Sequence, residues 1–294
     1  MTGAAGDPGE GAEAAAEEVN DLLGHRRMNL MTTDESVRTR GTVFDRDGTL
    51  VADYRLGNRS GRPAALDLRL HRLPAEAAAP AILTALPGWV VSARADTGAV
   101  LLASGGRLLR HLHRYARELD PQADGDGWAD PRIEVRPVTS VPPSALYDSW
   151  IAAYPPEHPD GTAHPNPEDL DVLYHGSALG PLLDASVVAL DRGRAVAAVL
   201  VNDAELLGPW ISEVFRDPDP AYAGLGARLL RHTLGLAARA GVPSIGLAVT
   251  EGNPARTVYE RLGFRPGESL MHVVLPGGER ETPGGGAVDT SIET

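Results

Sequence analysis

The segment AGLGARLL, residues 223 to 230, follows a Pro/Asp-rich turn and opens a run with helical spacing. Gly224 and Gly226 remove side chains where a backbone would have to approach a ligand, and the first amides of a helix have no internal partners. Together they make an anion site that fits a pyrophosphate, although the same residues also read as a helix start whose small side chains serve packing. In NPARTVYERLG, Asn253 and Pro254 suit the cap and first position of a short helix, and Gly263 suits its end. Tyr259 on that helix either packs or offers a phenolic proton. Two further clusters have suggestive types and spacing. TVFDRDGTLV sets Asp45 two positions before Asp47, a pair that could serve phosphoryl transfer. In EHPDGTAHPNPED, His158, Asp160 and His164 form only a loose metal-ligand pattern, and a solvated loop beside an acceptor site is the better reading.

The elements that must position these groups follow from composition and patterning. A chain of 294 residues has room for two domains, and no apolar window approaches the roughly 18 to 20 residues of a membrane helix. The acidic start lacks the features of a secretion signal, so a cytoplasmic protein is expected. The absence of Cys excludes disulfides, thiolate metal sites and a cysteine nucleophile. The formal charge is −13, and Arg supplies all 27 Lys+Arg side chains. Such a chain lacks the basic excess of a nucleic-acid binder, and neither nucleic acid nor membrane is an expected partner. Residues 1–40 and 277–294 are expected to be disordered. The Gly/Asp/Pro cluster DPQADGDGWADP marks a boundary between domains at 41–120 and 131–276. Beyond it the patterns predict strand, helix, loop, three strands, helix, strand, helix and strand, with a hairpin turn at Asp-Arg-Gly, residues 191 to 193.

With the order of elements in place, the run from Val214 to Phe264 resembles the acyl-CoA-binding half of the GNAT N-acetyltransferase superfamily. The likeness rests on the Gly-x-Gly helix start, the strand IGLAVT and NPARTVYERLGF. It implies an α+β fold, a mixed and mostly antiparallel sheet flanked by helices, over about 132–276. It implies acetyl-CoA as co-substrate, no metal, and a small-molecule or peptide amine as acceptor. By the same likeness, Val214, Phe215 and Arg216 would hold the pantetheine arm, and Gly224, Leu225, Gly226 and Ala227 would cradle the pyrophosphate. Asn253 and Arg256 would complete the cofactor site, Tyr259 would be the general acid for the departing thiolate, and Glu213 would be the base. A solvent-facing strand carboxylate is the competing reading of Glu213. The family usually carries Arg or Gln three residues before the first glycine; here the position is Ala221, and Arg216 or Arg228 is expected to compensate.

GWVVSARADTGAVLLASGG, 88 to 106, aligns without gaps on GLAVTEGNPARTVYERLGF, 246 to 264. Gly88, Val91, Val100 and Gly105 match identically, which points to a tandem arrangement with a degenerate GNAT-like first half. Ala95, Leu101 and Gly106 stand where the second half has Asn253, Tyr259 and Phe264, so the first half is expected to be structural.

TVFDRDGTLV resembles the first motif of haloacid-dehalogenase phosphatases, with Asp45 as nucleophile and Asp47 as acid. VRTRGT before it is a poor buried strand, however, and the chain has no Lys to balance a phosphate. A hairpin turning at Asp47-Gly48 is the expectation instead. Two readings of function remain, an acetyl-CoA-dependent N-acetyltransferase and a catalytically silent GNAT-fold protein that binds acyl-CoA or a partner.

Overall fold

The structure, a computed structural model, describes residues 40–59, 61–122, 128, 130–161 and 165–277. The disorder expected for 1–39 and 278–294, and the place of His164, lie outside the described residues. Arg40, assigned by sequence to the first of those segments, already belongs to a strand.

The first half contains β1 (Arg40–Phe44), β2 (Leu50–Arg59), β3 (Arg62–Leu70), α1 (Ala75–Ala85), β4 (Val90–Arg94), α2 (Ala95–Ala103) and β5 (Arg107–Glu118). The second contains β6 (Glu134–Pro137), α3 (Tyr147–Ala153), α4 (Glu168–Tyr174), β7 (Val187–Asp191), β8 (Arg194–Ala204) and β9 (Gly208–Arg216). It ends with α5 (Leu225–Arg239), β10 (Ser244–Thr250), α6 (Ala255–Arg261) and β11 (Arg265–Val274). Helices α1 and α4 are additions to the elements read from sequence. Pro80 inside α1 and the Pro-rich approach to α4 obscure both patterns.

All strands join one sheet in the order β1-β2-β3-β4-β11-β5-β10-β9-β8-β7-β6. The order is palindromic when β1 to β5 are exchanged for β7 to β11, leaving β6 outside the repeat. Strands β3 and β4 pair in parallel, as do β9 and β10. The last strand of each half crosses over, β5 lying against β10 and β11 lying against β4. The local echo extends to backbone hydrogen bonds. Gly105 and Gly263 both have positive φ, 97° and 84°. Gly105 N and Gly106 N donate to Leu102 O and Leu101 O, as Gly263 N and Phe264 N donate to Glu260 O and Tyr259 O. Each helix thus closes on a left-handed glycine that returns the chain to the sheet.

The second half buries its sheet on both faces, which is why β8 is almost wholly apolar. One core contains α5, whose Leu225, Leu229, Leu230 and Leu234 are fully buried. Each contributes about 1.5–3 kcal/mol of transfer free energy. The other core gathers Trp150 of α3 and Leu170 of α4 beneath the opposite face. The β7–β8 hairpin turns at Arg192 and Gly193, both with positive φ, as a two-residue turn of the primed kind.

The hairpin expected at Asp47-Gly48 is present between β1 and β2, but its loop spans 45–49 rather than two residues. Asp45 Oδ1 accepts the amides of Asp47 and Thr49 at 3.0 and 2.8 Å. This carboxylate caps a turn, as its short side chain and local donors favour. No helix among the described residues is long and apolar enough to cross a membrane.

A Cβ at Gly246 would lie 2.6 Å from the Trp210 ring, so Gly246→Ala should destabilise the fold by about 1–3 kcal/mol in denaturant titrations. An unchanged midpoint would contradict the packing. His272 is buried, and burial together with Arg59, Arg110 and Arg114 holds its imidazole well below the usual histidine range. The unfolded chain therefore takes up this proton first, and stability should fall as pH drops below about 6.5, by up to about 1.4 kcal/mol per pH unit from this group. His272→Gln should flatten that slope; an identical slope would remove the assignment.

Candidate active site

The site originates in the way β9 leaves its neighbours. Leu200 pairs with Glu213 but Val201 pairs with Ile211, so Ser212 is an extra residue in β9. This bulge resets the alternation of side chains. Trp210, Glu213 and Phe215 consequently face the α3/α4 side, while Ile211 and Val214 face the α5 side. On its other edge β9 meets β10 through a single pair, Trp210 with Gly246. Past that point the strands part, and a cavity of about 60 Å³ opens between them.

Glu213 lines this cavity and is only 3% exposed, which excludes the solvent-facing reading. Its Oε2 accepts the Trp150 indole N–H at 3.1 Å, and its Oε1 lies 2.7 Å from the Tyr154 hydroxyl and 3.1 Å from the Val214 amide. The Tyr154 hydroxyl is also 2.6 Å from the Val214 carbonyl. One end of α3 therefore holds the carboxylate and the bulged strand together.

Tyr259 lines the same cavity from α6, its ring edge-on to Phe264 at a centroid distance of 6.1 Å. The helix is set by local chemistry. Asn253 Oδ1 accepts the Ala255 amide at 2.8 Å, and the left-handed Gly263 closes the other end.

The wall opposite Glu213 is built around Asp160, whose loop is pinned by a tight turn at Gly161. A Cβ there would meet the Pro155 carbonyl. Asp160 accepts from Arg110 of β5, from Thr250 Oγ1 at 2.5 Å and from Asn253 Nδ2 at 2.8 Å. His158 Nδ1 accepts the Asp160 amide at 3.1 Å, orienting the loop. Asp160, Arg110 and Thr250 were not singled out by sequence as a unit, because they come from three distant segments. Asp160 was noticed only beside the two histidines, and Arg110 belongs to the half expected to be silent. Asn253, buried to 8% exposure, has both ends of its amide engaged within the protein.

The segment expected from sequence to cradle a pyrophosphate lies where β9 runs into α5. Gly224 has φ +76°, with open space beside it, and caps α5. The first in-helix bond is Arg228 N to Gly224 O, so the amides of Leu225, Gly226 and Ala227 precede any helical acceptor. Leu225 anchors the turn in the core. A Cβ at Gly226 would come no closer than 4.0 Å to any neighbour, the nearest being Arg216 Cγ. Packing does not require this glycine, whereas close approach of a ligand would.

Of the two arginines expected to compensate for Ala221, Arg216 lies by Gly226 and donates to the Asp217 carbonyl at 2.6 Å. Arg228 turns away to Asp130 at 2.9 Å and sits over the Trp128 ring. Arg256 is not brought to the cavity; it is half-exposed on α6 and pairs with Glu260 at 3.0 Å. Val214 lines the cavity, whereas Phe215 is buried in the core beneath it.

Residues 144–264 match the acetyltransferase (GNAT) family profile. No curated protein matches the chain. Among solved structures, the fold is similar to a GCN5-related N-acetyltransferase from Sphaerobacter thermophilus, with TM-score 0.54 and 19% identity over 90% of this chain and 87% of that one. It is also similar to a GCN5-related N-acetyltransferase from Kribbella flavida, with TM-score 0.50 and 17% identity over 91% and 96% of the two chains. A tandem GNAT protein from the clavulanic acid biosynthesis pathway aligns with TM-score 0.51 and 13% identity over 89% and 94%. Over residues 144–264 the chain is thus similar to the acetyltransferase (GNAT) family, and over most of its length it is similar to these solved structures in fold.

Proposed function

We propose that the chain is a cytoplasmic N-acetyltransferase that moves an acetyl group from acetyl-CoA to a primary amine by direct attack. The observation that carries this reading is the convergence of Glu213 and Tyr259 on one cavity between parted strands. The open approach to Gly226 and the unpaired first amides of α5 suit a pyrophosphate, so the residues present fit the co-substrate.

Acetyl-CoA would supply the activated acyl group as a thioester. The end of β9 around Val214 would hold the pantetheine arm once the Val214 amide and carbonyl leave Glu213 and Tyr154, and Leu225, Gly226 and Ala227 would donate to phosphate oxygens. Holding amine and thioester in one cleft replaces a bimolecular encounter by a local one, and no covalent enzyme intermediate is needed. Glu213, fixed by Trp150 and Tyr154, would take a proton from the incoming ammonium through water. Tyr259 would donate its phenolic proton to the departing thiolate. Asp160 and Arg110 would form the far wall of the acceptor side, so the first half contributes to the site without its own catalytic groups. We read that half, 41–120, as a degenerate copy of the second, 131–276.

A second reading, a catalytically silent acyl-CoA-binding or interaction protein, draws support from Ala221, which cannot contact a phosphate as Arg or Gln would.

The protein has no Cys, so a thiol reagent would report only released CoA. With acetyl-CoA and a panel of small amines and peptides, the wild type should release CoA only when a suitable amine is present. Tyr259→Phe should lower kcat by roughly 10²–10⁴-fold while leaving acetyl-CoA affinity unchanged. Unchanged turnover would remove Tyr259 as the acid, and no turnover on any amine would favour the silent reading.

A further inference from the structure

On the side of β5 opposite the cavity-lining Leu112, three metal-ligating side chains from both halves converge. His111 and His113 alternate along β5 and therefore project to the same side, while Leu112 between them lines the cavity on the other. Their ring centroids are 4.5 Å apart. Glu251, just beyond β10, reaches over both. Its Oε2 is 2.5 Å from His113 Nε2 and 3.9 Å from His111 Nδ1. One ligand atom from each of the three residues lies within 4.8 Å of the others.

We propose that His111, His113 and Glu251 form a binding site for a divalent transition metal of the zinc class, tying β5 of the first half to the turn that leads into α6. Two imidazoles and one carboxylate suit zinc, copper or nickel rather than magnesium or calcium. Ligand atoms about a tetrahedral zinc with bonds of about 2.0–2.1 Å are separated by about 3.3 Å, and the two distances to Glu251 straddle that value. A small shift of the half-exposed Glu251 would equalise them.

The surroundings support a metal over a simple ion pair. His113 Nδ1 is held by Ser269 Oγ at 2.8 Å, which fixes the ring from behind and leaves Nε2 aimed at the shared point, the arrangement that orients metal-binding histidines. His111 Nε2 is buried without a hydrogen-bond partner, so this ring is not placed by a contact at that nitrogen. Backbone already fixes the approach, because Glu251 N donates to His111 O at 2.9 Å. Three protein ligands leave a fourth position to water. Since Asn253 follows two residues later, a bound metal would stiffen the start of the helix that carries Tyr259.

The test uses tag-free, metal-stripped full-length protein titrated calorimetrically with zinc chloride, with magnesium chloride as control. One zinc per chain should bind with micromolar or tighter affinity and raise Tm, and magnesium should do neither. Replacing both histidines, His111→Ala with His113→Ala, should weaken zinc at least tenfold and abolish the rise in Tm, with circular dichroism reporting retained fold. Equal zinc affinity in that variant, or no zinc binding to the wild type, would overturn the proposal. A measurement on the wild type alone stands beside it. Cobalt should give the intense visible absorption of a four- or five-coordinate site, and the weak spectrum of a hexahydrate-like ion would overturn the assignment.

Discussion

Past the pair of Trp210 with Gly246, β9 and β10 cease to hydrogen-bond, and the rest of the site depends on that parting. Parallel neighbours that continued to pair would fill the space with their own ladder. Here the bulge at Ser212 turns β9 aside, Trp210 packs into the room left by Gly246, and beyond it the Val214 amide and carbonyl meet the side chains of Glu213 and Tyr154 instead of β10. A side-chain contact to backbone is more readily exchanged than a strand ladder, so the gap is a place where a ligand with its own amides would be favoured.

The parting also decides what reaches the gap. Glu213 turns toward α3, where Trp150 and Tyr154 hold it, while Tyr259 enters from the opposite side on α6. Asp160 then binds residues of both halves, Arg110 on one side and Thr250 and Asn253 on the other. Because β5 and β11 are exchanged between the halves, the first half cannot be removed without dismantling the wall of the cavity. The first half, with Ala95 and Leu101 at the positions aligned with Asn253 and Tyr259, has in this arrangement a mechanical place in the site.

What sequence made legible was local. The left-handed Gly263, the Gly-x-Gly start of α5 and the hairpin turn at residues 191 to 193 are short-range devices, and each stands where its residues place it; Asn253 accepts the Ala255 amide, but the helix begins one residue later than expected, with Pro254 at its cap. The aligned glycines 105 and 263 likewise share backbone geometry and hydrogen bonds. The burial of Glu213 was not legible, because an inserted residue breaks the period of two on which strand reading relies. Nor was the cluster around Asp160, assembled from segments far apart in the chain. The hairpin at Asp45 was placed correctly, but its loop was misjudged because the aspartate's own side chain supplies the turn. Arg228 shows the same limit from the other side, since only the fold shows it drawn away by Asp130.

Acetyl transfer by this chain would require the open start of α5 to cradle a pyrophosphate. Calorimetric titration of acetyl-CoA into the wild type and a Gly226→Glu variant tests it most directly, because the space beside Gly226 lets the new side chain be accommodated without disturbing the core. Micromolar binding is expected for the wild type, and its loss in the variant, where a carboxylate would oppose the phosphates. Equal binding by both proteins would place the cofactor elsewhere, and no binding by the wild type would mean that the loop with Ala221 no longer holds acyl-CoA.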